Sequence, residues 1–178
     1  MRRALILSFV ISMAIVISSF SSKPPKKDKK IVWLSFKELQ TAYKMQRRPI
    51  LIDVYTDWCG WCKRMDADTY SDEKVIDYIN KNFYAVKYNA EKFDSVTLGG
   101  KKYGFNNNTG IHDLTNFLLS GRLGYPTTVF LTSINSQPTS VPGYMQPKQM
   151  EPTLKYFGDG SYRKLEYADY VKGFSGTW

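Results

Sequence analysis

The stretch PILIDVYTDWCGWCK, residues 49–63, joins an apolar run to the only two cysteines in the chain. Residues 49–55 are rich in β-branched side chains and are apolar on both faces apart from Asp53, a pattern typical of a central parallel strand. Cys59 and Cys62 follow at once, and helix-forming residues dominate after them. The stretch therefore predicts a strand that leads directly into a helix, with the cysteine pair at the junction.

This junction favours an ionised thiol. Cys59 opens the predicted helix, where unsatisfied backbone N–H groups and the positive end of the helix dipole converge. Because the thiolate is the nucleophile in disulfide exchange, this position raises the reactive fraction of Cys59. Cys62 lies three residues further on, on the same helical face. We therefore expect Cys59 to attack a substrate disulfide and Cys62 to resolve the mixed disulfide that results.

Three neighbours of the pair are predicted to contact a substrate. Gly60 leaves the nucleophile open to a partner chain. Trp58 and Trp61 would surround the sulfur with apolar surface on which an extended substrate can dock. Both tryptophans have an alternative role as partly buried core residues, which we expect for Trp58 more than for Trp61.

A structural disulfide and a metal site are alternative roles of the cysteine pair, and both are disfavoured. A disulfide that closes so short a loop constrains little of the unfolded chain, and a chain of this length can bury a core without one. Zinc or copper would require further Cys or His ligands, and His112 is the sole histidine. We interpret His112 as a surface residue or N-cap neighbour, and Asp66, Asp68 and Asp72 as helix-cap or solvated residues. We expect neither a metal nor a bound cofactor.

Composition divides the chain into three segments. Residues 1–22 combine a basic start with a short apolar run and small polar residues, which predicts a signal peptide or an N-terminal membrane anchor. Residues 23–30, KPPKKDKK, predict a solvated basic linker with a weak attraction to anionic lipid. Residues 31–178 predict one domain with 18 basic and 15 acidic side chains, a balance that does not indicate nucleic-acid binding. Either N-terminal alternative predicts an extracytoplasmic domain.

Hydrophobic periodicity predicts an α/β fold. Helices are expected at about 35–47, 59–70, 72–80 and 147–157, and strands at 49–55, 83–88, 126–131 and 141–144. Residues 89–124 are rich in glycine and asparagine and contain one predicted short helix, and helical spacing recurs in 161–174. This order predicts a mixed central sheet with helices on both faces and with chemistry at the C-terminal ends of its strands.

Five features occur in a characteristic order along the chain. They are Asp53, WCGWCK at 58–63, Lys87 in the next strand, YPT at 125–127 and Gly143. The set resembles the thioredoxin superfamily over residues 31 to about 157, and it is far more specific than a CxxC pair alone. The chain is most similar to extracytoplasmic thioredoxin-like proteins of bacteria, including the C-terminal domain of the transmembrane disulfide reductase.

The resemblance implies a thioredoxin fold and roles for four further residues. Asp53 matches the family's buried acid; burial raises the pKa of such a carboxyl, which lets it take the proton from Cys62 through water. Lys87 matches the lysine that pairs with this acid, although an ordinary solvated lysine at a strand edge is the alternative. Pro126 matches the cis-proline beside the disulfide, which leaves the backbone of Tyr125 free to bind substrate as an added strand.

Three features depart from the family pattern. Trp61 stands where the family usually has proline, so the family's redox potential does not carry over. Residues 89–124 form an insertion before the cis-proline strand that can build a flap or a partner-specific surface. Residues 158–178 form a C-terminal helical extension, in which we expect Tyr170 and Trp178 to pack against the domain.

Together these observations predict a secreted or membrane-tethered thiol-disulfide oxidoreductase. It would act on protein thiols and disulfides and exchange electrons with a membrane or periplasmic redox partner. Gly60 and Trp61 carry no positive charge that stabilises a thiolate, so we expect a reductase rather than a strong oxidant. The alternative is a binding adaptor or chaperone with the same fold, whose cysteines do not turn over.

Overall fold

The computed structural model of the protein describes residues 29–92 and 94–178. Within these residues the chain forms nine strands, six α-helices and one 3-10 helix. In chain order they are β1 (Trp33–Leu34), α1 (Phe36–Met45), β2 (Ile50–Tyr55), α2 (Gly60–Asp68), α3 (Glu73–Asn82), β3 (Tyr84–Asn89), β4 (Val96–Leu98), β5 (Lys101–Tyr103), β6 (Phe105–Asn106), β7 (Ile111–His112), α4 (Asp113–Leu119), β8 (Thr127–Leu131), β9 (Thr139–Pro142), α5 (Pro147–Gly158), the 3-10 helix (Ser161–Arg163) and α6 (Tyr167–Lys172).

Local sequence signals set the starts of several helices. The Ser35 hydroxyl accepts the Glu38 N–H, and the Glu38 carboxylate accepts the Ser35 N–H at 2.8 Å, which together cap α1. The Asp72 carboxylate caps α3 without a reciprocal bond, by accepting two N–H groups of the first turn. Pro147 is the first residue of α5, where a missing N–H costs nothing.

Five strands form a mixed central sheet in the order β1-β3-β2-β8-β9. The strands β1, β3 and β2 are parallel, whereas β8 and β9 join as antiparallel neighbours. The residues of β2 are buried except Tyr55, since helices cover both faces of this central strand. Its register with β3 pairs Asp53 with Lys87. The predicted apolar strand is therefore the middle of the sheet, and it ends just before the cysteine pair.

Helices cover both faces of the sheet. On one face α3 and α5 bury apolar side chains such as Ile79 and Leu154. On the other face α1 and α4 bury Leu39 and Leu118. Successive side chains of β2 point to opposite faces of the sheet. Leu51 therefore packs on the face covered by α3 and α5, and Ile50 and Ile52 pack on the face covered by α1 and α4.

The insertion before β8 contains two hairpins, β4–β5 and β6–β7, followed by α4. Leu98 and Tyr103 of the first hairpin are 3% and 6% exposed and pack into the core beneath α1 and α4. Gly99 and Gly100 form its turn with φ of +60° and +80°, a left-handed conformation that glycine adopts without strain. The insertion is therefore part of the core as well as part of the surface.

The C-terminal extension folds back onto the domain, as expected. The ring of Tyr170 lies 5.2 Å from that of Tyr156 in α5, between centroids. The ring of Trp178 lies 5.8 Å from that of Tyr78 in α3. Aromatic packing thus attaches the extension to two different helices of the same face.

Most predicted elements are confirmed, with ends displaced by at most two residues. The strands β1 and β4 to β7 escaped prediction because each has only two or three residues, too few for a period to show. The predicted signal peptide or anchor, residues 1–22, and residues 23–28 of the predicted linker lie outside the described residues. Among the helices that the structure describes, none has the length and apolar character to cross a bilayer.

Candidate functional site

Cys59 and Cys62 form a disulfide at the start of α2. Cys59 is the N-cap residue of this helix, and the Cys62 N–H lies 3.1 Å from the Cys59 Sγ. The two residues are 4% and 3% exposed. The predicted junction between strand and helix is confirmed. The Cys59 sulfur thus lies at the helix end where backbone N–H groups and the positive end of the helix dipole converge.

Asp53 is a buried carboxyl in the central strand, with 1% of its surface exposed. Its Oδ2 accepts a hydrogen bond from the Lys87 Nζ at 2.8 Å, and its Oδ1 accepts one from the Tyr70 hydroxyl at 3.4 Å. Burial raises the pKa of Asp53, and these partners offset the effect only in part. This carboxyl therefore holds a proton more readily than a surface aspartate does.

Lys87 joins the sheet to helix α2. Its Nζ also pairs with the Asp66 carboxylate of α2, and it lies 5.2, 4.9 and 5.5 Å from the ring centroids of Trp33, Tyr55 and Tyr70. Burial opposes the charged ammonium, but the attraction of the two carboxylates outweighs it and raises the pKa of Lys87. The lysine lies on an inner strand, so the alternative of a solvated lysine at a strand edge is wrong.

The two tryptophans of the CGWC region are both exposed, Trp58 by 66% and Trp61 by 64%. The indole N–H of Trp58 donates to a Glu91 carboxylate oxygen at 2.7 Å, and its ring lies 6.1 Å from that of Tyr125. The ring of Trp61 lies 5.5 Å from that of Tyr144. The prediction that Trp58 is partly buried in the core is wrong. Its side chain lies on the surface, where the indole N–H is bound to the Glu91 carboxylate.

The loop before β8 has the backbone features that the resemblance implies. The peptide bond between Tyr125 and Pro126 is cis. The Pro126 carbonyl oxygen accepts the Gly143 N–H at 2.8 Å, and Gly143 has φ of +97°, a conformation that other residues rarely adopt. At Gly60 an added Cβ would meet no atom within 4 Å. The surface at the start of α2 is therefore open at this residue.

His112 is buried, with none of its surface exposed, and it is the N-cap residue of α4. Its Nδ1 accepts the Leu114 N–H at 3.1 Å, and its Nε2 lies 3.0 Å from the Asp94 carbonyl oxygen. The N-cap interpretation is confirmed, whereas the surface interpretation is wrong. Across residues 29–92 and 94–178, no group of three or more His, Cys, Asp or Glu side chains is arranged to hold a metal ion.

Asp66 and Glu91 are neighbours of the site that the sequence analysis missed. Asp66, interpreted as a solvated or capping residue, pairs with Lys87. It lies four residues after Cys62, on the same helical face, and this spacing was a usable signal. Glu91 offered no local signal, because only the course of the chain after β3 brings it to Trp58.

This fold and site agree with a known family. Residues 24–158 match the model of the family Thioredox_DsbH, described as "Protein of unknown function, DUF255". The chain belongs to this family. The predicted membership of the thioredoxin superfamily is therefore confirmed, among proteins related to DsbH and DsbD. The Thioredox_DsbH match ends at Gly158, the last residue of α5, so residues 159–178 lie beyond it.

Individual relatives of this Thioredox_DsbH protein agree with the assignment. Thiol:disulfide interchange protein DsbD of Yersinia enterocolitica is 28% identical over 78 residues, which are 40% of this chain and 14% of that longer protein. A thioredoxin-fold protein from Helicobacter pylori superposes with a TM-score of 0.55 at 20% identity, over 70% of this chain and 83% of the other. DsbH oxidoreductase superposes with a TM-score of 0.54 at 13% identity, over 79% and 92%. These structures confirm the predicted thioredoxin fold.

Proposed function

We propose that this protein is a thiol-disulfide oxidoreductase that reduces disulfides in protein substrates. The observation that carries the proposal is the linkage of its only two cysteines, Cys59 and Cys62, at the N-terminus of α2. A helix N-terminus favours a thiolate, and a CxxC pair provides both a nucleophile and a resolving thiol.

The proposed reaction begins with the reduced pair. The Cys59 thiolate attacks one sulfur of a substrate disulfide; a bond from Cys59 to the substrate forms, the substrate S–S bond breaks, and its other sulfur leaves as a thiolate that solvent protonates. Cys62, whose proton passes to Asp53 through water, then attacks the Cys59 sulfur. The Cys59–Cys62 disulfide forms, the bond between Cys59 and the substrate breaks, and the second substrate sulfur leaves as a thiolate that solvent protonates. Two electrons pass to the substrate, and an external dithiol must restore the pair.

The other predicted site residues have supporting roles in this proposal. Asp53 accepts the proton and Lys87 holds its carboxylate, which the 2.8 Å contact between them supports. The proposed substrate-contacting residues are Trp58, Gly60, Trp61, Tyr125 and Pro126. The exposure of both tryptophans and the open surface at Gly60 support this assignment.

We further propose an extracytoplasmic location. The composition of residues 1–22 supports a signal or membrane tether, and the relative named a thiol:disulfide interchange protein supports protein thiols and disulfides as the substrates. The redox partner that restores the dithiol would then lie in the membrane or periplasm.

Alkylation kinetics test the proposal against the adaptor alternative. In the reduced protein at mildly acidic pH, iodoacetamide should label Cys59 much faster than Cys62, and Cys59→Ser should lose insulin reductase activity. The variant Cys62→Ala should retain a substrate on Cys59 as a mixed disulfide that mass spectrometry identifies. Slow and equal labelling of both cysteines would favour the adaptor.

The direction of the reaction is tested by equilibration with glutathione buffers. We expect a reducing potential, because neither Gly60 nor Trp61 stabilises the thiolate of a reduced pair by charge. A potential near the oxidising extreme of about −120 mV would contradict the proposed direction.

A further inference from the structure

An open groove lies beside the disulfide and is bordered by the insertion. Its volume is about 700 Å³. Trp58 and Tyr125 line it, and these residues precede Cys59 and Pro126 in the chain. The β6–β7 hairpin lines it as well, through residues such as Ile111. The insertion therefore supplies part of a surface that begins at the residue before Cys59.

The groove exposes large apolar side chains. Trp58 is 66% exposed and Leu123, which also lines the groove, is 49% exposed. Burying such surface is worth about 25 cal/mol per Å² of apolar area. An exposed apolar patch beside a reactive group indicates a site for the apolar side chain of a partner.

The charge of the groove is negative. Among the described residues that line it, Asp57 and Glu91 are acidic and none is a lysine or an arginine. This contrasts with the whole chain, in which 25 basic side chains exceed 16 acidic ones. Lys92, the next residue after Glu91, lines a separate pocket with Leu34 and Phe36.

Glu91 is held at the groove by the 2.7 Å hydrogen bond from the Trp58 indole. A carboxylate has about four acceptor positions on its two oxygens, so this bond leaves capacity for an ammonium or guanidinium group. The same hydrogen bond holds the Glu91 carboxylate next to the Trp58 ring, which lines the groove. A ligand that pairs with Glu91 is thereby placed against the Trp58 ring, where a cation also gains from the π system.

We propose that the groove selects protein substrates that carry a lysine or arginine and a large apolar residue near the reacting cysteine. The proposal rests on the proposed function and specifies its substrate class. The groove begins at Trp58, the residue immediately before Cys59, so the selected residues lie close to the reacting cysteine of the substrate.

Four peptides test this selection with the full chain in its reduced form. Each carries one cysteine as a mixed disulfide with thionitrobenzoate, and they differ only in two nearby positions: Arg and Leu, Glu and Leu, Arg and Ser, or Glu and Ser. We expect kcat/KM for the Arg and Leu peptide to exceed that for the Glu and Ser peptide by about tenfold or more, with the advantage of arginine reduced at high salt.

Variants locate the selection in the groove. Leu123→Ser should reduce the preference for Leu, and Glu91→Gln, which keeps an acceptor for the Trp58 N–H, should reduce the preference for Arg. Leu165→Ser is a matched control, because Leu165 is 51% exposed in the C-terminal extension, compared with 49% for Leu123. It should leave both preferences unchanged.

Reduction of insulin, whose disulfides are not activated, separates the possible failures. If insulin is reduced but all four peptides react equally, or the Glu peptides react faster, the proposed selection is overturned and the proposed function stands. If neither it nor any peptide is reduced, both fail. If a second copy of the chain occupies the groove, rates per molecule will fall as the protein concentration rises and Leu123→Ser will restore them, which also overturns the selection.

Discussion

Asp53 has an environment that few carboxyl groups tolerate. It lies in the central strand with 1% of its surface exposed, and it shares the ammonium of Lys87 with Asp66. Two carboxylates share this one ammonium, and Asp53 is the buried one of the two, where negative charge is costly in a low dielectric. Burial therefore keeps the pKa of Asp53 raised. At the scale of single residues, the burial that suits the Asp53 carboxyl to proton exchange also lowers the stability of the folded protein.

Asp53→Asn is expected to stabilise the folded protein at neutral pH by about 1 kcal/mol or more, because it removes a carboxylate whose charged form burial disfavours. Because the pKa of Asp53 is raised above its ordinary value of 3.8, the folded state binds more protons than the unfolded state just above that pH. The contribution of Asp53 to the free energy of unfolding of the wild-type protein is therefore present at low pH and is lost as the pH rises through the raised pKa. The advantage of the variant should be small at about pH 3 and larger at about pH 7, as urea unfolding of the oxidised proteins can measure.

The control for this prediction is Lys87→Met. Asp53→Asn leaves the ammonium with Asp66 as its partner, so no buried charge lacks a counter-charge. Lys87→Met instead removes the cation from Asp53 and should destabilise the protein by about 3 kcal/mol or more at neutral pH. A destabilised Asp53→Asn variant, or a gain that is equal at both pH values, would contradict the account of this carboxyl.

At the scale of secondary-structure elements, the start of α2 determines how the cysteines meet a partner. The central strand β2 ends at Tyr55, and α2 begins at Gly60 immediately after Cys59. An added Cβ at Gly60 meets no atom within 4 Å. The helix therefore does not need glycine there for packing.

Gly60→Ala should stabilise both redox states by about 0.4 to 1 kcal/mol, because alanine lowers the entropy of the unfolded chain. Urea unfolding of the oxidised and reduced proteins measures the change. Gly143→Ala is the matched control, since φ of +97° is strained for alanine and the variant should lose more than about 1 kcal/mol. Similar changes in the two variants would show that the backbone at these glycines has been misassigned.

Elements with a long apolar pattern could be predicted from the sequence, and short ones could not. The strand Ile50–Tyr55 is apolar on both faces because both faces are buried, whereas the strands of the insertion have two or three residues each. The exposure of Trp58 depends on its hydrogen bond to Glu91, 33 residues later in the chain. A local pattern carries no information on such contacts, so the cysteine chemistry could be predicted but the surrounding groove could not.

At the scale of the whole molecule, residues 177 and 178 are bound to α5 by one buried carboxylate. Glu151 accepts hydrogen bonds from the N–H of Thr177 at 2.7 Å and of Trp178 at 3.3 Å, and it pairs with Lys155 at 2.8 Å. Burial alone would raise the pKa of Glu151, but these partners outweigh it and lower the pKa. This carboxylate thus joins distant parts of the chain.

Glu151→Gln should destabilise the protein by about 1.5 to 3 kcal/mol at neutral pH, the range for hydrogen bonds to charged groups. Since the pKa of Glu151 is lowered from 4.5, its contribution is present above that pH and is lost as the pH falls through the lowered value. The difference between wild type and variant in thermal unfolding should therefore be smaller at about pH 3 than at about pH 7.

Glu166→Gln is the control for this carboxylate. Glu166 is exposed and makes no side-chain capping bond at the start of α6, so its substitution should change stability by no more than about 0.5 kcal/mol. A loss in Glu151→Gln no larger than in this control would show that the extension is not attached through Glu151.

The insertion is one continuous segment that contributes both to the core and to the groove. Its first hairpin supplies Leu98 and Tyr103 to the core, and its second borders the groove. A related protein that lacked this segment would have a cavity in its core and would also lose the proposed preference for particular substrates. We expect evolutionary drift in specificity to proceed by single exchanges along the groove, with the hairpins themselves retained.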